Sequence, residues 1–394
     1  MVRVFETVRG NSPVTRQQIG DLSGLSKPTV NEALDTLLEQ KLIYLSKNRV
    51  ESTGSKPGPK AQEIFYNGSR LKIIGIDIGG SRIRELISDL DGNIIASSRN
   101  QTPHFGGRKG ILEKIQEITV KMLEDSRLNI SDIGAIVVGT PGTIHPVTGE
   151  VTIAHNLPDW NNFPLAKELS NLLGMEVSVE NEAHLAIYGE NWKGGAIEIK
   201  NAAAMSIGVG IGLGLLIEGK VYRGFNGIAG EVGNLPLQMT GTNGPTTSTK
   251  FEYQASAAGL ERNFQELKSK SEAKEIMALA NGEEITAKLI YDAASRGDQL
   301  AIKLVDQQLE LLSRGIASVC CITNPEVFIL HGGLAPSLVP YLKMISKQVS
   351  KIVLIPPRII VSELSDLSTT YGALRRGIEK VDRETLTAML RDSA

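Results

Sequence analysis

The sequence predicts an α/β protein with a small N-terminal winged helix-turn-helix and a larger body whose second half repeats the pattern of its first. Three observations lead to this prediction. Two short helices with capping residues, followed by a hairpin, fit into residues 1–68. In the rest of the chain, apolar strands run repeatedly into glycine-rich turns. The turn at 77–81 has counterparts at 208–214 and 331–333 in the second half.

Composition restricts the class of protein before any motif is considered. The chain has 394 residues, of which 41% are apolar and 22% charged, so it is globular and long enough for two or three domains. The net charge is −2, so a nucleic-acid role would have to belong to one basic segment. Residues 1–70 hold ten Lys and Arg against seven Asp and Glu, which identifies that segment.

The expected location follows from what the sequence lacks. No apolar run is long enough for a membrane helix, and the first residues do not form the apolar core of a signal peptide. The only cysteines, Cys320 and Cys321, are neighbours, so they can form neither an ordinary disulfide nor a zinc site. We therefore expect a cytoplasmic protein that contacts no membrane.

The first element of the N-terminal region is a short capped helix. Thr15 and Gln18 form a capping-box pattern, which predicts that a helix begins at residue 16. Leu22 is expected to face inward on this helix. Gly24 is expected to end it and to begin a tight turn.

A second helix is expected to begin after Ser26, whose hydroxyl can cap it. Its apolar residues recur on one face: Val30, Leu34, Leu37 and Leu38. Two short helices with this turn are typical of helix-turn-helix geometry, in which the second helix reads the major groove. The candidates for contact with DNA are the polar residues near the start of this helix: Ser26, Lys27, Thr29, Asn31 and Glu32.

A hairpin follows the two helices. Apolar runs at 42–45 and 63–66 flank a loop rich in Gly, Pro and Lys, and this pattern predicts a wing. Lys56 and Lys60 are placed to contact phosphates or to enter a minor groove. The alternative is a helical hairpin that contacts other proteins, with a solvated basic loop. The order of caps, turn and wing favours DNA binding, although the second helix is rich in acidic residues.

The body contains three strands that end in glycine-rich turns, at 71–77, 203–207 and 327–330. Glycine lets the backbone approach a phosphate closely, but glycine in tightly packed strands gives the same pattern. The pattern alone therefore does not establish nucleotide binding. The candidate residues for such a site are Asp77, Gly79, Gly80, Gly208, Gly210, Gly332 and Gly333.

This ordered set of motifs resembles the ROK family of repressors, open reading frames and sugar kinases. The resemblance rests on the segments at 77–80, 139–142, 156–157, 179–181, 229–233, 251–252, 324–326 and 332–333. It covers nearly the whole chain and implies a two-lobed actin-like, ribonuclease-H-like ATPase fold. The N-terminal unit makes the chain similar to the repressor branch, which includes xylose- and N-acetylglucosamine-responsive regulators.

The resemblance also implies a division of the chain into three parts. Residues 1–68 would form the DNA-binding domain, 69–190 lobe I and 191–394 lobe II, with a C-terminal helix that can return to lobe I. A signal between the lobes and the DNA-binding domain is expected to pass through the joint at 67–71.

Two departures from the family's kinases concern catalysis. The kinase base is the Asp of a Glu-Asn-Asp-Ala run, and here Glu182 holds that position. The longer side chain displaces the carboxylate by about 1 Å, and a displacement of this size can lower the reaction rate about 100-fold. The second phosphate loop, usually Gly-Thr-Gly, has Val209 in place of the threonine. We therefore expect a vestigial nucleotide site and no enzymatic activity. The alternative is an ATP-dependent carbohydrate kinase in which Glu182 acts as the base.

A third departure concerns zinc. Most of the family carries a histidine and a cluster of cysteines as zinc ligands. Here the histidine position is Asn234, and the segment up to Glu252 contains neither cysteine nor histidine. Structural zinc requires four ligands of those types, so we expect no metal and no cofactor.

The resemblance places an effector pocket between the lobes. The matching positions are Asn156, Asn181, Glu182, Glu231, Asn234 and Glu252. Carboxylates accept hydrogen bonds and amides both donate and accept them, so this set suits a neutral ligand rich in hydroxyls. Its negative charge disfavours a phosphorylated ligand. The alternative is that some of these acids are solvated surface residues.

The expected function is therefore a transcriptional regulator, a repressor of carbohydrate catabolism. Its partners would be operator DNA, a small neutral sugar or polyol, and further copies of the chain in a homodimer or homotetramer. The rivals are the kinase described above and a scaffold that regulates only through partner proteins.

Overall fold

The computed structural model of the protein describes residues 1–50, 61–103, 106–154, 157, 159–237, 250–267 and 273–391. Three predicted site residues, Lys56, Lys60 and Asn156, lie outside these ranges.

The N-terminal unit consists of three helices and a small antiparallel sheet. The helices are α1 (Val2–Asn11), α2 (Arg16–Ser23) and α3 (Lys27–Glu39). The strands are β1 (Val14–Thr15), β2 (Ile43–Val50) and β3 (Ala61–Tyr66), in the order β1-β3-β2. The predicted helix pair and hairpin are therefore confirmed as local structure.

The caps of these helices agree with the sequence prediction, whereas one core residue does not. The Thr15 hydroxyl accepts from the amide of Gln18 in a complete capping box, and Gly24 ends α2 with φ at +68°. The Ser26 hydroxyl accepts from the amide of Thr29. Leu22 is 60% exposed, so its predicted inward orientation is wrong; α2 has only eight residues and buries Ile19.

The first half of the body is built on a five-stranded mixed sheet. Its strands are β4 (Lys72–Ile78), β5 (Arg82–Asp89), β6 (Ile94–Gln101), β7 (Ile133–Thr140) and β10 (Val177–Asn181), and they lie in the order β10-β7-β4-β5-β6. Two short strands, β8 (Thr143–Ile144) and β9 (Val151–Ile153), pair separately. Helices α4 (Gly107–Asp125) and α5 (Leu165–Leu173) share an apolar core with one face of this sheet.

The second half repeats this architecture with another five-stranded mixed sheet. Its strands are β11 (Ala202–Ile207), β12 (Ile211–Ile217), β13 (Lys220–Val221), β14 (Val327–His331) and β15 (Arg358–Val361), and they lie in the order β13-β12-β11-β14-β15. The accompanying helices are α7 (Phe251–Ala255), α8 (Ala257–Leu267), α9 (Lys274–Ala280), α10 (Ala287–Ser295), α11 (Gln299–Thr323) and α12 (Leu342–Val349). Residues of these helices form the largest apolar core together with β11, β12 and β14.

Two helices connect the halves. Helix α6 (Glu182–Lys193) follows β10 directly and contacts both sheets. Helix α13 (Ser368–Arg391) packs against α6, β4 and β7. Its 24 residues span roughly 36 Å at about 1.5 Å per residue.

The core of the N-terminal unit continues into the body. One apolar cluster contains Phe5, Leu34 and Ile64 of the unit together with Leu374 and Ile378 of α13. The unit is therefore packed against the C-terminal helix as well as joined to β4. Within the described residues, no helix is long and apolar enough to cross a membrane.

Candidate functional site

The glycine-rich turns of both sheets meet at one cleft with a volume of about 450 Å³. Strands β4, β11 and β14 lead into it from opposite sides, because their C-terminal ends face each other across the molecule. The predicted residues that line this cleft are Asp77, Gly79, Gly80, Asn181, Glu182, Gly208, Gly210, Glu231, Asn234, Glu252, Gly332 and Gly333. The predicted effector and nucleotide positions other than Asn156 thus belong to a single cavity, and their ligands stay predictions.

The carboxylate at the end of β4 is paired with an arginine. Nη1 of Arg84 lies 2.9 Å from Oδ2 of Asp77, and Nε of Arg84 donates to Asp366 at 2.8 Å. Asp366 lies just before α13 and also accepts from Arg99. Burial raises the pKa of Asp77 to about 6, against the lowering effect of Arg84. A network of alternating charges therefore joins the first glycine turn to the start of α13.

The first residue of helix α6 is Glu182, and its carboxyl faces a crowded negative environment. Burial raises the pKa of Glu182 to about 8, and the nearby charges of Asp77, Glu231 and Glu252 act in the same direction. At neutral pH this carboxyl is therefore mostly protonated. It can donate one hydrogen bond and accept others, whereas proton abstraction requires the ionised form.

The amide of Asn181 is largely used by the protein itself. Its oxygen accepts from the backbone amides of Ala183 and His184, at 2.9 and 3.2 Å, and so caps α6. Its nitrogen donates to the carbonyl oxygen of Gly142 at 2.9 Å. Asn181 thus positions Glu182 at the helix start, and little of its amide is left for a ligand.

The opposite wall of the cleft carries the remaining predicted effector positions. Oε2 of Glu252 accepts from the backbone amide of Ile211 at 2.8 Å, which fixes this side chain beside the second glycine turn. Nζ of Lys250 donates to Oδ1 of Asn234 at 2.8 Å. Glu231 follows Gly230, which has φ at +97°, and a Cβ there would lie 1.9 Å from the carbonyl oxygen of Leu213. Only glycine permits this approach of the loop to β12.

Sequence reasoning missed several residues that line the cleft: Arg84, Lys250, His331, Asp366 and Thr369. Arg82 and Arg84 occupy alternate positions of β5, and this spacing places them on one face of the strand without identifying their partners. Burial lowers the pKa of His331 to about 4, so its imidazole is neutral. Nε2 of His331 is buried without a hydrogen-bond partner.

The predicted DNA-contacting residues of α3 share one surface. Ser26, Lys27, Thr29, Asn31 and Glu32 are all exposed at the N-terminal end of this helix. The hydroxyls of Ser26 and Thr29 are 2.8 Å apart. Nη1 of Arg16, on the preceding helix, donates to Oδ1 of Asn31 at 2.8 Å. Arg16 adds a positive charge that sequence reasoning had not assigned to this surface.

The far end of α13 holds the N-terminal unit in place. Asp382 accepts from Nε of Arg9 and from the hydroxyl of Tyr66, each at 3.1 Å. The Arg9 guanidinium also lies 4.3 Å from the centre of the Tyr66 ring. Nη2 of Arg70 donates to the Thr385 hydroxyl at 2.9 Å. These contacts join α1 and β3 to a helix whose first turn, at Thr369, lines the cleft.

The described side chains were compared with the ligand groups that a metal centre requires. Among the side chains that the structure describes, no group of three or more His, Cys, Asp or Glu residues has an arrangement that could hold a metal ion.

Comparison with known proteins identifies the family of the body. Residues 73–375 match the model of the ROK family. A glucokinase of Thermotoga maritima is 31% identical over 271 residues, which cover 68% of this chain and 83% of that enzyme. A putative xylose repressor of Caldicellulosiruptor sp. is 28% identical over 383 residues, which cover 94% of this chain and 93% of that protein.

A solved structure extends the comparison to the whole chain. The crystal structure of a ROK family transcriptional regulator, a homologue of the E. coli MLC protein, superimposes with a TM-score of 0.76. The match covers 98% of this chain and 97% of that one at 21% identity, so it establishes the shared fold.

Proposed function

The chain belongs to the ROK family, and we propose that it is a transcriptional repressor whose affinity for operator DNA is controlled by a neutral sugar or polyol bound in the cleft. The similarity to the xylose repressor supports this proposal because it covers 94% of the chain and so includes most of the N-terminal unit. The similarity to the glucokinase covers 68%, and the family model begins at residue 73. The N-terminal part, which lies before the family model, is the part that a repressor needs for binding DNA.

We infer that the N-terminal unit is a winged helix-turn-helix. The exposed polar start of α3 would enter the major groove, with Thr29 and Asn31 at base edges. Arg16 supports this assignment because it holds Asn31 and adds positive charge near the DNA backbone. Lys56 and Lys60 are proposed as phosphate contacts on the wing, outside the described residues.

The single observation that carries the proposal is the path of α13. Its first turn lines the cleft at Thr369 and follows Asp366, which is bound to Arg84. Its other end contacts the N-terminal unit through Asp382 and Thr385. One continuous helix therefore touches both the effector cleft and the DNA-binding unit. If the protein binds a ligand more tightly with α13 in one position than in another, the ligand favours the first position. The resulting change in the free energy of operator binding is at most the difference between the two free energies of ligand binding.

The cleft chemistry supports a neutral polyhydroxyl ligand. Glu182 is mostly protonated at neutral pH, and Asn234 and Glu231 lie together on the facing wall, so donors and acceptors are both present. Xylose is the first candidate to test, because two relatives that match 94% and 83% of the chain are a putative xylose repressor and a xylose repressor. We further propose that the repressor acts as a homodimer or homotetramer, since paired helix-turn-helix units read paired half-sites.

A sugar kinase is the second candidate, and the 31% identity to a glucokinase favours it. Three features of the cleft oppose it. Asp77 is paired with Arg84 rather than free for a metal–nucleotide complex, and Val209 carries no hydroxyl for the phosphate loop. Glu182, in the position of the base, is mostly protonated at neutral pH.

One experiment separates these functions. Full-length protein is titrated onto labelled DNA from upstream of its own gene at fixed salt, with and without xylose, glucose, myo-inositol and related polyols. The same samples are assayed for ADP release with Mg–ATP. Specific binding that one polyol reverses, without turnover, supports the repressor. Turnover at about 1 s⁻¹ or faster would instead identify a kinase with an appended N-terminal unit.

A further inference from the structure

We propose that Glu180 is a positioning residue that couples the cleft to α13. This inference rests on the proposed function of the cleft as an effector pocket and concerns how that pocket is connected to the N-terminal unit. Residues 222–234, here called the cleft loop, follow β13 and carry two of the effector positions, Glu231 and Asn234. Glu180 would transmit a movement of this loop to α13.

Two arginines from different parts of the chain hold the Glu180 carboxylate. Oε2 accepts from Nη2 of Arg223 at 2.8 Å, and Oε1 accepts from Nε of Arg376 at 2.6 Å. Arg223 belongs to the cleft loop in the second half of the body, whereas Arg376 belongs to α13. Glu180 itself lies near the end of β10 in the first half. One carboxylate therefore joins the cleft loop and α13 to the first sheet.

The Glu180 carboxyl is charged at neutral pH. Burial raises its pKa, but the charges of Arg376 and Arg223 outweigh burial and hold the pKa below its usual value. Both hydrogen bonds are therefore charge-assisted and stronger than bonds between neutral groups. Because the Glu180 side chain is only 19% exposed, salt screens these contacts less than it screens a surface ion pair.

Polar contacts attach the cleft loop to the first half of the body. The apolar side chains of Phe225 and Ile228 contribute little packing, since Phe225 is fully exposed and Ile228 is 43% exposed. Besides the ion pair of Arg223, the carbonyl oxygen of Ala229 accepts from Nε2 of His184 at 3.1 Å. The position of the loop relative to β10 therefore depends strongly on the contact between Arg223 and the Glu180 carboxylate.

This contact borders a space in which the cleft loop can move. Glu180, Arg223 and Arg376 line a second cavity, of about 260 Å³, between the loop at 146–149, β10 and the cleft loop. Asn181 lines both this cavity and the cleft. A packed interior resists displacement, whereas a cavity lets the loop shift against β10 without repacking a core.

Arg376 lies on α13 between the cleft and the N-terminal unit. It precedes Asp382 by six positions (376 to 382), or about 9 Å at roughly 1.5 Å per helical residue. Asp382 binds Arg9 and Tyr66 of the N-terminal unit. A second route therefore leads from the cleft through the cleft loop, Glu180 and Arg376 to the contact with the N-terminal unit.

The test uses Glu180→Gln and Arg223→Met in the full-length chain, with Glu176→Gln as the matched control. Glu176 also forms an ion pair with α13, to Lys380 at 2.8 Å, but it is 78% exposed. Anisotropy gives the operator dissociation constant without ligand and with saturating xylose, or with whichever of glucose and myo-inositol releases the DNA. We expect the ratio of these constants to fall about three- to tenfold in both test variants and to stay unchanged in the control.

Saturating ligand separates lost coupling from weakened ligand binding, because a variant that only binds the ligand less tightly still gives the full ratio. Isothermal titration of the ligand with and without operator DNA measures the same coupling from the other side and should show the same reduction. Thermal melts verify the fold of each variant. If Glu180→Gln does not fold, Arg223→Met decides, since the Arg223 side chain is 37% exposed.

Two outcomes would overturn the role of Glu180 while the proposed function stands. One is an unchanged ratio in Glu180→Gln and Arg223→Met, although the ligand releases the wild-type protein from DNA. The other is an equal reduction in Glu176→Gln, which would show that any ion pair to α13 has the same effect. If no compound of the panel releases the wild-type protein, the proposed function and this inference both fail.

Discussion

The guanidinium of Arg84 lies 2.9 Å from the carboxylate of Asp77, and both side chains are about nine-tenths buried. A fixed cation from β5 thus neutralises the carboxylate that ends β4. Removing one member of a buried pair leaves the other charge uncompensated, which typically costs about 3–5 kcal/mol. We expect Arg84→Met to destabilise the protein by about this amount in urea unfolding.

The control is Arg82→Met on the same strand, where the side chain is half exposed and 3.9 Å from Asp366. This change should alter the free energy of unfolding by less than about 1 kcal/mol. The double variant Asp77→Asn, Arg84→Met should recover part of the loss. Equal effects of the two single arginine variants would contradict the pairing.

Glu85 gives the protein a distinct pH dependence. It is fully buried between β5 and α4 with one hydrogen bond, from Thr119 at 2.8 Å, and burial raises its pKa from 4.5 to about 8. The folded state therefore binds a proton that the unfolded state releases above pH 4.5. The stability contributed by Glu85 falls by up to about 1.4 kcal/mol per pH unit from there to pH 8.

Glu85→Gln should remove this part of the slope. The measurement is the free energy of unfolding in urea from pH 5.5 to 8.5 for the wild type, Glu85→Gln and Glu124→Gln. Glu124 is exposed on α4 and serves as the control. The free energy of unfolding of the wild type minus that of Glu85→Gln should change steadily with pH. If this difference does not depend on pH, Glu85 is ionised in the folded protein.

The contact between α13 and the N-terminal unit can be tested with neighbouring residues. Asp382 binds Arg9 and Tyr66, whereas the next residue, Arg383, is exposed. We expect Asp382→Ala to reduce the ligand-induced change in operator affinity severalfold, because in the proposed repressor this contact is one route from α13 to the N-terminal unit. Arg383→Ala should leave the change intact. Anisotropy titrations with and without the releasing sugar measure both, and indistinguishable responses would place the coupling elsewhere.

Operator recognition is expected to depend on two side chains at the start of α3. Thr29→Ala and Asn31→Ala should each weaken specific binding by about 1–3 kcal/mol if they contact base edges. Arg16→Ala should resemble Asn31→Ala, because Arg16 holds the Asn31 side chain at 2.8 Å. Glu39→Ala, at the other end of the helix, is the control. Competition with non-specific DNA at constant salt is the measurement.

Glu182 separates a sensor from a kinase most directly. Because its carboxyl is mostly protonated at neutral pH, glutamine is a close neutral substitute. A sensor should therefore keep its ligand affinity within about threefold in Glu182→Gln, whereas Glu182→Ala should lose about two- to tenfold through the missing hydrogen bond. A kinase should lose its turnover in both variants, since glutamine accepts no proton. Parallel ligand titrations and ADP-release assays decide between them.

The predictable part of the site consists of residues whose roles are local. Gly79, Gly208 and Gly332 end apolar strands, and such turns can be recognised in the sequence because glycine and a buried strand stand side by side. Glu182 and Glu231 were assigned through motifs in which the neighbouring residues, a capping amide and a glycine, are themselves recognisable. All of these residues line the cleft.

The pairing of Arg84 with Asp366 could not be predicted in the same way. The two residues are 282 positions apart, and their contact depends on the register of β5 and on where α13 begins. The same holds for Arg9 and Asp382. The sequence indicated a connection between the N-terminal unit and the body only at 67–71, whereas the contact through α13 arises from the return of the chain over the first sheet.

The position of α13 also determines when the protein becomes complete during its synthesis. Arg9 leaves the ribosome 373 residues before its partner Asp382. At roughly 5–20 residues per second this interval lasts about 20–75 s. During that time the N-terminal unit has only its contacts with the first half of the body, such as the hydrogen bond from Arg9 to the carbonyl oxygen of Leu90, and lacks those with α13. In a nascent chain of the proposed repressor, the DNA-binding unit would therefore form before α13 exists, and sugar control of the operator would begin only after α13 has been translated.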